Sequence, residues 1–570
     1  MTSSETYLQK FEKLLSSGDV SKASELIENQ TNGSCYESTS STLSCLMRCV
    51  SKCTKDGDPF IFNDYSKVLE VICARSSPDD VLLSLIKESE EVHNRTVMLF
   101  VLKPLCNAMV ALLSSSRDTY LAWFCNCLLD FVNNFELPKV YNLSDEEILL
   151  ADCDENIFHI TSFYEELLPS LEPITQDITK KYPAFKVTYV RFWVQLLEKL
   201  SSSDLSCRRN TKSKSRIVAD KIVHEIIKLY RDVFNLFDES NRCCDEDITV
   251  APASIGILYF LILCEGVDLE RVPKVYDRVY LFQNCLQYST ALLERQHQFV
   301  NEAGLKLADE LLKMNSERYF TYKLLDSVVH VTFCDKLSNV MICSTLEEHR
   351  QLALKVFKSY LYNFDTRGRY LIIYNITLMT SFDSLASYVV TQYKEMLVEN
   401  LKIERTNSEF FTGSKLTSML KLFCKLPDGV ETDLVESANR IVAVLNLLRF
   451  LILFDKKNCT GIWNDVDEIR SSYLEPLQKG LDLSKAHYQL ELDSCNRDAA
   501  NGNKKRKSEA NSNVIEGNVS VTVDEQNLPH LSSAEKIKTL KSALTAFDMI
   551  ECLLCRVNEC LKMGCEVSKQ

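Results

Sequence analysis

Apolar residues recur at helical spacing along almost the whole chain, and very few residues interrupt the pattern. The 570 residues include only 14 glycines and 12 prolines. Tight β-turns, β-bulges and phosphate-binding loops depend on glycine, because glycine adopts positive φ at little cost. A chain so poor in both helix-breaking residues is predicted to be mostly α-helical.

The first 28 residues illustrate the repeating unit. One apolar stripe covers residues 8–15 and a second covers residues 20–27, with the polar segment 16–19 between them. This arrangement predicts a helical hairpin, which is the unit of α-solenoids. Similar pairs recur without a fixed period, so divergent HEAT-like pairs fit better than tetratricopeptide or ankyrin repeats. We therefore predict an all-α solenoid of HEAT-like helix pairs.

Composition divides this solenoid into two halves. A Ser-rich basic stretch at 201–216 and an acidic stretch at 238–247 bracket the predicted boundary. The N-terminal half is expected to cover residues 1–237, and the C-terminal half residues 248–492.

Two further segments follow the C-terminal half. Residues 493–530 are rich in Asn, Ser, Asp and Glu and have few large apolar residues, so a disordered linker is expected. A long amphipathic helix is predicted at 531–563, where Ser532 and Glu535 have capping-box spacing. Its apolar stripe should pack on the preceding array and consists of Ile537, Leu540, Leu544, Phe547, Ile550, Leu554, Val557 and Leu561.

Charge and targeting signals narrow the partners and the compartment. The net charge of −14 argues against nucleic-acid binding and is compatible with a basic protein partner. The N-terminus lacks a secretory signal, and the apolar runs near 251–264 and 441–454 are too short to cross a membrane. We therefore expect a cytoplasmic protein with reduced thiols. The basic run Lys504-Lys505-Arg506-Lys507 is either a nuclear import signal or an inert solvated cluster.

Motifs of catalysis and cofactor binding are missing from the sequence. There is no GxSxG, Walker or GxGxxG motif, so we predict neither an enzyme nor a cofactor. Cys552 and Cys555 have the CxxC spacing of zinc sites, but they lie within a helical stripe and no matching ligand pair follows. Packing within a helix is the favoured interpretation of these cysteines.

A polar stripe lies along the apolar helical segment near residue 445. At about 100° per residue, Asn439, Asn446, Arg449 and Lys456 fall on one side of this helix. The stripe is either an ordinary solvated face or a ridge that contacts a partner. In the second interpretation Arg449 is the anchor, because arginine suits interfaces better than lysine.

Several motifs in the C-terminal half, from about residue 267 onward, resemble the glomulin family. They are FTG at 411–413, LPDGVETDL at 426–434, RIVAVLNLLRFL at 440–451, GIW at 461–463, LEPLQKGLDLSKAHY at 474–488 and SALTAFDMIECLLCRV at 542–557. The motifs are long and stand in family order, whereas the first half matches only in its helical pattern. We add Lys485, His487 and Tyr488, at the end of one motif, to the candidate partner contacts.

The resemblance implies a HEAT-like helical protein without enzymatic activity. Glomulins bind the RING domain of the RING-box subunit of cullin–RING ubiquitin ligases through their C-terminal half. They thereby cover the surface that recruits the ubiquitin-conjugating enzyme. Binding of an immunophilin and a role in vascular development are implied as well. A general helical scaffold that tethers proteins without regulating ubiquitin is the alternative, and an enzyme with an unrecognised site is a third.

We predict that the purified chain binds no stoichiometric zinc, because its cysteines stand singly within helical stripes. Elemental analysis of the isolated protein should find far less than one zinc per chain. A value near one, with no partner bound, would contradict this prediction.

Overall fold

The computed structural model describes a chain built almost entirely of helices. The described residues are 3–29, 36–56, 59–90, 92, 94–115, 118–137, 143–207, 211–238, 249–315, 319–402, 408–508, 522–523, 526–527 and 533–567. The helices are α1 Ser3–Ser16, α2 Val20–Glu28, α3 Tyr36–Asp56, α4 Pro59–Arg75, α5 Pro78–Ser89, α6 Arg95–Leu112, α7 Asp118–Asn133, α8 Asp145–Leu150, α9 Glu155–Lys180, α10 Lys186–Leu200, α11 Lys214–Leu229, α12 Val233–Leu236, α13 Pro252–Tyr259, α14 Arg278–Leu293, α15 Gln298–Lys313, α16 Val328–Cys343, α17 Glu347–Asn363, α18 Thr366–Met379, α19 Asp383–Lys402, α20 Gly413–Phe423, α21 Ala438–Phe454, α22 Ile462–Ile469, α23 Glu475–Ser508 and α24 Ser533–Val567.

Irregular elements are few in the described part of the chain. A π-helical turn, Phe260–Cys264, extends α13, and another, Arg470–Leu474, joins α22 to α23. The strands β1 Thr522–Val523 and β2 Gln526–Asn527 pair antiparallel. The all-α prediction is confirmed, and helices packed in consecutive pairs are consistent with the predicted solenoid.

The hairpin predicted at the N-terminus is present as α1 and α2. Gly18 between them adopts a positive φ of 77°. The amide of Asp19 donates to the carbonyl of Leu14 at 3.0 Å, and the amide of Gly18 donates to that of Leu15 at 3.1 Å. These two bonds form a Schellman motif, which satisfies carbonyl groups that the end of α1 leaves free.

Short polar side chains fix where many helices begin. Ser77, Asn94, Asp154 and Asp365 each precede a helix and accept a hydrogen bond from a backbone amide of its first turn. Ser144 forms a reciprocal capping box at the start of α8. The capping box predicted at Ser532 falls on a residue outside the described ranges, and α24 begins one residue later.

The helices group into two units. The first comprises Met1–Ser316 with Ser327–Tyr360, and the second comprises Glu317–Asp326 with Leu361–Gln570. The boundary predicted at 238–247 thus falls inside the first unit. The assignment of functions to the two halves stays a prediction.

A buried arginine stands at the end of the Ser-rich basic stretch at 201–216. The side chain of Arg216 is only 1% exposed. Its guanidinium contacts Asp220 at 2.5 Å and Glu265 at 2.6 Å, and it donates to the carbonyl of Leu205 at 2.5 Å. Burial alone would lower the pKa of Arg216, but the two carboxylates outweigh it and raise that pKa. These contacts hold Arg216, the last residue of the Ser-rich basic stretch, in the core of the first unit.

One helix of the first unit has the length and hydropathy of a membrane span. This helix, α6, is the one such helix among the described residues, and 56% of its residues are buried in the protein. The core helix of a folded domain passes the same test. The apolar runs near 251–264 and 441–454 are shorter than this helix of 18 residues.

The second unit arranges its helices in two layers. In one layer α18 contacts α20 and α20 contacts α22, while in the other α19 contacts α21 and α21 contacts α24. Helix α23 packs along α24. The last helix therefore occupies the position that the next repeat of a HEAT-like array would fill beside α21.

The segment expected to be a linker overlaps α23. This helix continues to Ser508, fifteen residues beyond the predicted start of the linker at 493. Composition signals disorder there because apolar residues are scarce. Once a helix is established by packing, however, each further residue adds a backbone hydrogen bond at low cost. The rest of the predicted linker, except 522–523 and 526–527, lies outside the described residues.

Replacing Arg216 should destabilise the first unit strongly. The substitution Arg216→Met leaves Asp220 and Glu265 without their buried partner, so we expect a loss of about 3–5 kcal/mol. Chemical denaturation of the full chain, followed by circular dichroism, measures this loss.

Arg271 is the matched control, because it is 52% exposed and its contact with Asp268 is long, at 3.8 Å. Arg271→Met should change the stability by less than about 0.5 kcal/mol. Equal stability of the Arg216→Met variant and the parent chain would contradict the role assigned to this network.

Candidate protein-binding surface

Helix α21 lies between two neighbours in its layer and therefore has one buried and one outward face. The buried face, which includes Ile441, Leu445, Leu448 and Ile452, is the face that the sequence predicted to be apolar. Asn439 on the opposite side is exposed, and Asn446 and Arg449 are half-buried. The structure thus brings three of the four stripe residues onto the outward face of one helix. Lys456 lies just beyond the end of α21 and is exposed.

The outward face of α21 also carries large apolar side chains. Leu453 and Phe454 are exposed, Phe454 to 47%, and Phe450 stacks on Phe454 with ring centroids 5.4 Å apart. We call the group Asn446, Arg449, Phe450, Leu453 and Phe454 the α21 ridge. The sequence expectation missed its apolar members, although a helical projection puts Phe450 about 20° from Asn439.

The surroundings of the α21 ridge are basic. The ammonium group of Lys394, on α19, lies 5.9 Å from the centroid of the Phe450 ring. Lys456 and Lys457 are exposed beside Phe454. Within the described part of the chain, Arg449, Lys456 and Lys457 form no ion pair. The ridge is therefore an apolar surface with a basic rim on a chain that is acidic as a whole.

The nearest carboxylate along the chain, that of Asp455, faces inward. It accepts hydrogen bonds from the amides of Cys459 and Thr460, at 2.7 Å and 2.6 Å, and the residue is buried. The carbonyl of Asp455 accepts a hydrogen bond from the indole of Trp463 at 2.7 Å. The buried Asp455 carboxylate is thus occupied by hydrogen bonds within its own loop, and these bonds fix the loop that follows α21.

Family motifs that are distant in sequence meet at this end of α21. The amide of Gly413, from the FTG motif, donates to the carbonyl of Thr460 at 2.8 Å. Gly461, the first residue of GIW, has a φ of 85°, and a Cβ added to it would be in ordinary van der Waals contact with Gly413, 3.7 Å from its Cα. The two motifs are therefore parts of one brace at the C-terminal end of the helix.

Two other motifs meet at the N-terminal end of α21. A Cβ on Gly480 would lie 2.7 Å from the carbonyl oxygen of Val430, so only glycine allows α23 to approach the LPDGVETDL segment. Arg440 contacts Asp383 of α19 at 3.0 Å, and Ser437 donates to the same carboxylate at 2.5 Å. Both ends of α21 are thus held by contacts to other elements.

The remaining candidate residues lie on α23, and two of them contact α24. Lys485 reaches the carboxylates of Asp548 at 2.6 Å and Glu551 at 2.5 Å. Burial alone would lower the pKa of Lys485, but its hydrogen bonds to these two carboxylates raise it. The ring of Tyr488 meets the buried ring of Phe547 edge to face, with centroids 5.2 Å apart. These contacts join the helices that support α21 and lie apart from the ridge.

His487 is exposed, and its Nε2 lies 3.4 Å from the Glu491 carboxylate on the next turn of α23. The structure does not bring His487 to the α21 ridge through any recorded contact among the described residues. Lys485, His487 and Tyr488 remain predicted partner contacts that only binding measurements can test.

The cysteines of the described residues do not gather into a metal centre. No group of three or more potential ligands occurs within the described ranges. Cys552 and Cys555 are exposed on α24. In the first unit, a hydrogen bond with the Cys45 thiol lowers the pKa of the buried Cys49 to about 7.

Comparisons with known proteins find similarity to glomulins over most of the chain. The model of an uncharacterised protein family, YAP/Alf4/glomulin, matches residues 208–543. Glomulin of Homo sapiens is 25% identical over 575 residues, which covers 97% of this chain and 92% of the human protein. Glomulin of Mus musculus is 29% identical over 324 residues, which covers 56% of this chain and 52% of the mouse protein.

We predict that a charge at Phe547 releases α24 and destabilises the second unit. The Phe547 side chain is fully buried, so Phe547→Asp should lower the stability by several kcal/mol. Met549 is nearly half exposed two residues further on, and Met549→Asp is the matched control. Thermal melts should shift strongly for the first variant and little for the second. Equal melts for both variants would mean that α24 does not support the unit.

Proposed function

This chain belongs to the YAP/Alf4/glomulin family, and from that premise we propose a non-enzymatic regulator of ubiquitin transfer. In this proposal the chain binds the RING domain of the RING-box subunit of cullin–RING ubiquitin ligases. It covers the surface that recruits the ubiquitin-conjugating enzyme. The observation that carries the proposal is the α21 ridge, which is apolar at its centre, basic at its rim and held rigid at both ends.

The chemistry of the ridge defines the partner surface that fits it. Phe454 and Leu453 can enter an apolar depression, as aromatic and aliphatic anchors do at interfaces. Arg449 and the lysines around it favour carboxylates at the edge of that depression. The chain as a whole carries a net charge of −14 and repels acidic surfaces, so this local basic cluster is the part of it that would attract and orient an acidic surface. The proposed partner surface is therefore an apolar patch with an acidic border.

The outward face of the whole of α21, with its neighbours, has the dimensions of a specific interface. Helix α21 has 17 residues and is about 26 Å long. A standard interface buries about 800 Å² per partner, which corresponds to a patch roughly 28 Å across. One face of α21 with its neighbours is thus large enough to cover a small recruitment surface.

The mechanism requires no chemistry on this chain. A ligase transfers ubiquitin only while its RING holds a charged conjugating enzyme, so a protein that occupies the same surface inhibits by competition. Prior rigidity of α21 strengthens such binding, because little conformational entropy is lost when the complex forms. Any zinc in the complex belongs to the RING partner.

Other properties implied by the family are part of the same proposal. A cytoplasmic location, binding of an immunophilin and a role in vascular development follow from the resemblance alone. Nuclear entry through Lys504-Lys505-Arg506-Lys507 also stays a prediction. That run falls at the end of α23, and its side chains lie outside the described part of the structure.

Reversing the charge of Arg449 should weaken binding without unfolding the chain. Arg449→Glu puts a carboxylate opposite the acidic border, so we expect the concentration needed to inhibit ubiquitin-chain synthesis to rise at least about tenfold. The assay uses a purified cullin–RING ligase, its conjugating enzyme and the full chain. Thermal melts check that the variant is folded.

The matched control is Lys415→Glu, an equal change of charge on the exposed surface of α20 in the other layer. It should leave inhibition unchanged within about twofold. If the Arg449→Glu variant inhibits as strongly as the parent chain, the polar stripe is an ordinary solvated face and not a partner contact. Binding of the ligase without inhibition would favour the alternative of a tethering scaffold, and absence of binding would refute the proposal.

A further inference from the structure

Helix α23 presents an outward face that no element of the described chain covers. The helix turns its other side, including Leu477, Leu481 and Leu492, into the unit. Six exposed residues on the outward face form what we call the α23 seam: Glu475, Lys479, Ala486, Leu490, Asp493 and Arg497. Leu490 is 66% exposed, and Leu483, beside the seam, is 64% exposed. These two leucines lie on either side of the middle of the stripe and leave apolar surface exposed there.

The α23 seam is symmetric about Ala486. Lys479 and Asp493 lie seven residues before and after Ala486, and Glu475 and Arg497 lie eleven residues before and after it. At about 100° per residue, seven residues turn the helix to within 20° of two full turns, and eleven residues to within 20° of three. All of these positions therefore share one narrow stripe, centred on a small residue.

Residues of the seam that lie at equal distances on either side of Ala486 have opposite charges. Basic Lys479 exchanges with acidic Asp493, and acidic Glu475 exchanges with basic Arg497. Within the described part of the chain, none of these four side chains forms an ion pair. Each therefore keeps its charge available for a partner in which the order of charges is inverted.

We infer that the α23 seam is a contact between two copies of this chain, related by a twofold axis that passes near Ala486. The two α23 helices run antiparallel. Lys479 of each copy meets Asp493 of the partner, and Glu475 meets Arg497. Leu483 and Leu490 of opposite copies lie side by side across the axis. Ala486 packs on Ala486 of the other copy, where its small side chain allows the helices to approach to about 8 Å.

Self-complementarity is the reason to choose a second copy as the occupant. A twofold contact uses the same patch on both molecules, so each residue must suit its image under the axis. A contact with a different protein would not require residues at equal distances from Ala486 to have opposite charges. The seam meets the condition at both pairs of charged positions and at its centre.

The size of the seam sets the strength of the dimer. From Glu475 to Arg497 the helix is about 33 Å long, and one helix–helix contact of this length buries less than a standard interface. The dimer is therefore weak, with a dissociation constant in the micromolar range, and salt weakens it further because its ion pairs are exposed. Helix α21 does not contribute to the seam, so the contact is separate from the α21 ridge.

Charge reversal provides the test, with the full chain studied by sedimentation velocity over a range of concentrations. The parent chain should show a monomer–dimer equilibrium. Lys479→Asp and Asp493→Lys each set like charges against each other at two symmetric positions, so each should weaken the dimer about tenfold. The double variant restores opposite charges and should regain the parent affinity within about threefold.

A mixture of the two single variants provides a second measurement on the same proteins. Lys479→Asp and Asp493→Lys together have opposite charges at both pairs, so they should form a heterodimer although each alone does not dimerise well. Circular dichroism melts of all variants should coincide with that of the parent chain.

A parent chain that stays monomeric at the highest concentration would overturn the inference. So would a dimer that the single reversals do not weaken, or one that neither the double variant nor the mixture restores. The last result would mean that copies meet through another surface.

Discussion

The burial of α24 against α21 and α23 is the interaction on which the second unit depends. The last helix of a HEAT-like layer has one side that no further repeat covers. In this unit that helix is α21, and α24, which comes last in the sequence, packs against that side. Phe547, Ile550, Leu554 and Val557 are fully buried there. At about 1.5–3 kcal/mol each, these four side chains contribute roughly 6–12 kcal/mol before entropy is counted. That is comparable with the whole stability of a typical domain, at about 5–15 kcal/mol.

The proposed binding surface inherits its rigidity from this arrangement. Helix α21 is held by α19 on one side and α24 on the other, and each of its ends is fixed by paired motifs. Near the C-terminal end of α21, the amide of Gly413 donates a hydrogen bond to the carbonyl of Thr460. Near its N-terminal end, Gly480 of α23 packs against the backbone of Val430. The long motifs shared with the family therefore have a structural explanation. Gly413, Arg440 and Gly480, each from a different motif, take part in these contacts.

The fold could be predicted largely from local pattern, because the stripe of a helix repeats every three to four residues. The 3-and-4 spacing identified eight apolar residues of α24. Six of them are buried, namely Leu540, Phe547, Ile550, Leu554, Val557 and Leu561, and the other two, Ile537 and Leu544, are half-buried. The burial of Arg216 could not be predicted from pattern in the same way, since charge usually indicates solvent exposure. Whether a charged side chain is buried depends on partners elsewhere in the chain, and Glu265, which holds Arg216, is 49 residues away.

The candidate site could be predicted only in part, for a related reason. A helical projection separated Arg449 from the apolar face of α21, and the structure puts Arg449 on the outward side. The same projection puts Phe450 on that side, but it could not show that Phe450, Leu453 and Phe454 are left unburied there, because aromatic and aliphatic residues are normally assigned to the core. Nor could it show that Lys485 contacts Asp548 and Glu551, which lie more than 60 residues away beyond the predicted linker.

Helix α23 shows how one element can serve two contacts without conflict. Its inner face, with Leu477, Leu481 and Lys485, holds α24 and so supports α21. Its outer face, one half-turn away, has Lys479, Ala486 and Asp493, whose charges are balanced instead of basic. A surface that recognises a foreign acidic partner needs excess charge of one sign, whereas a surface that recognises its own copy needs both signs in inverted order. The α21 ridge meets the first requirement and the α23 seam meets the second. The two proposed surfaces thus differ in the kind of partner that their charges suit, although the same helical layers support both.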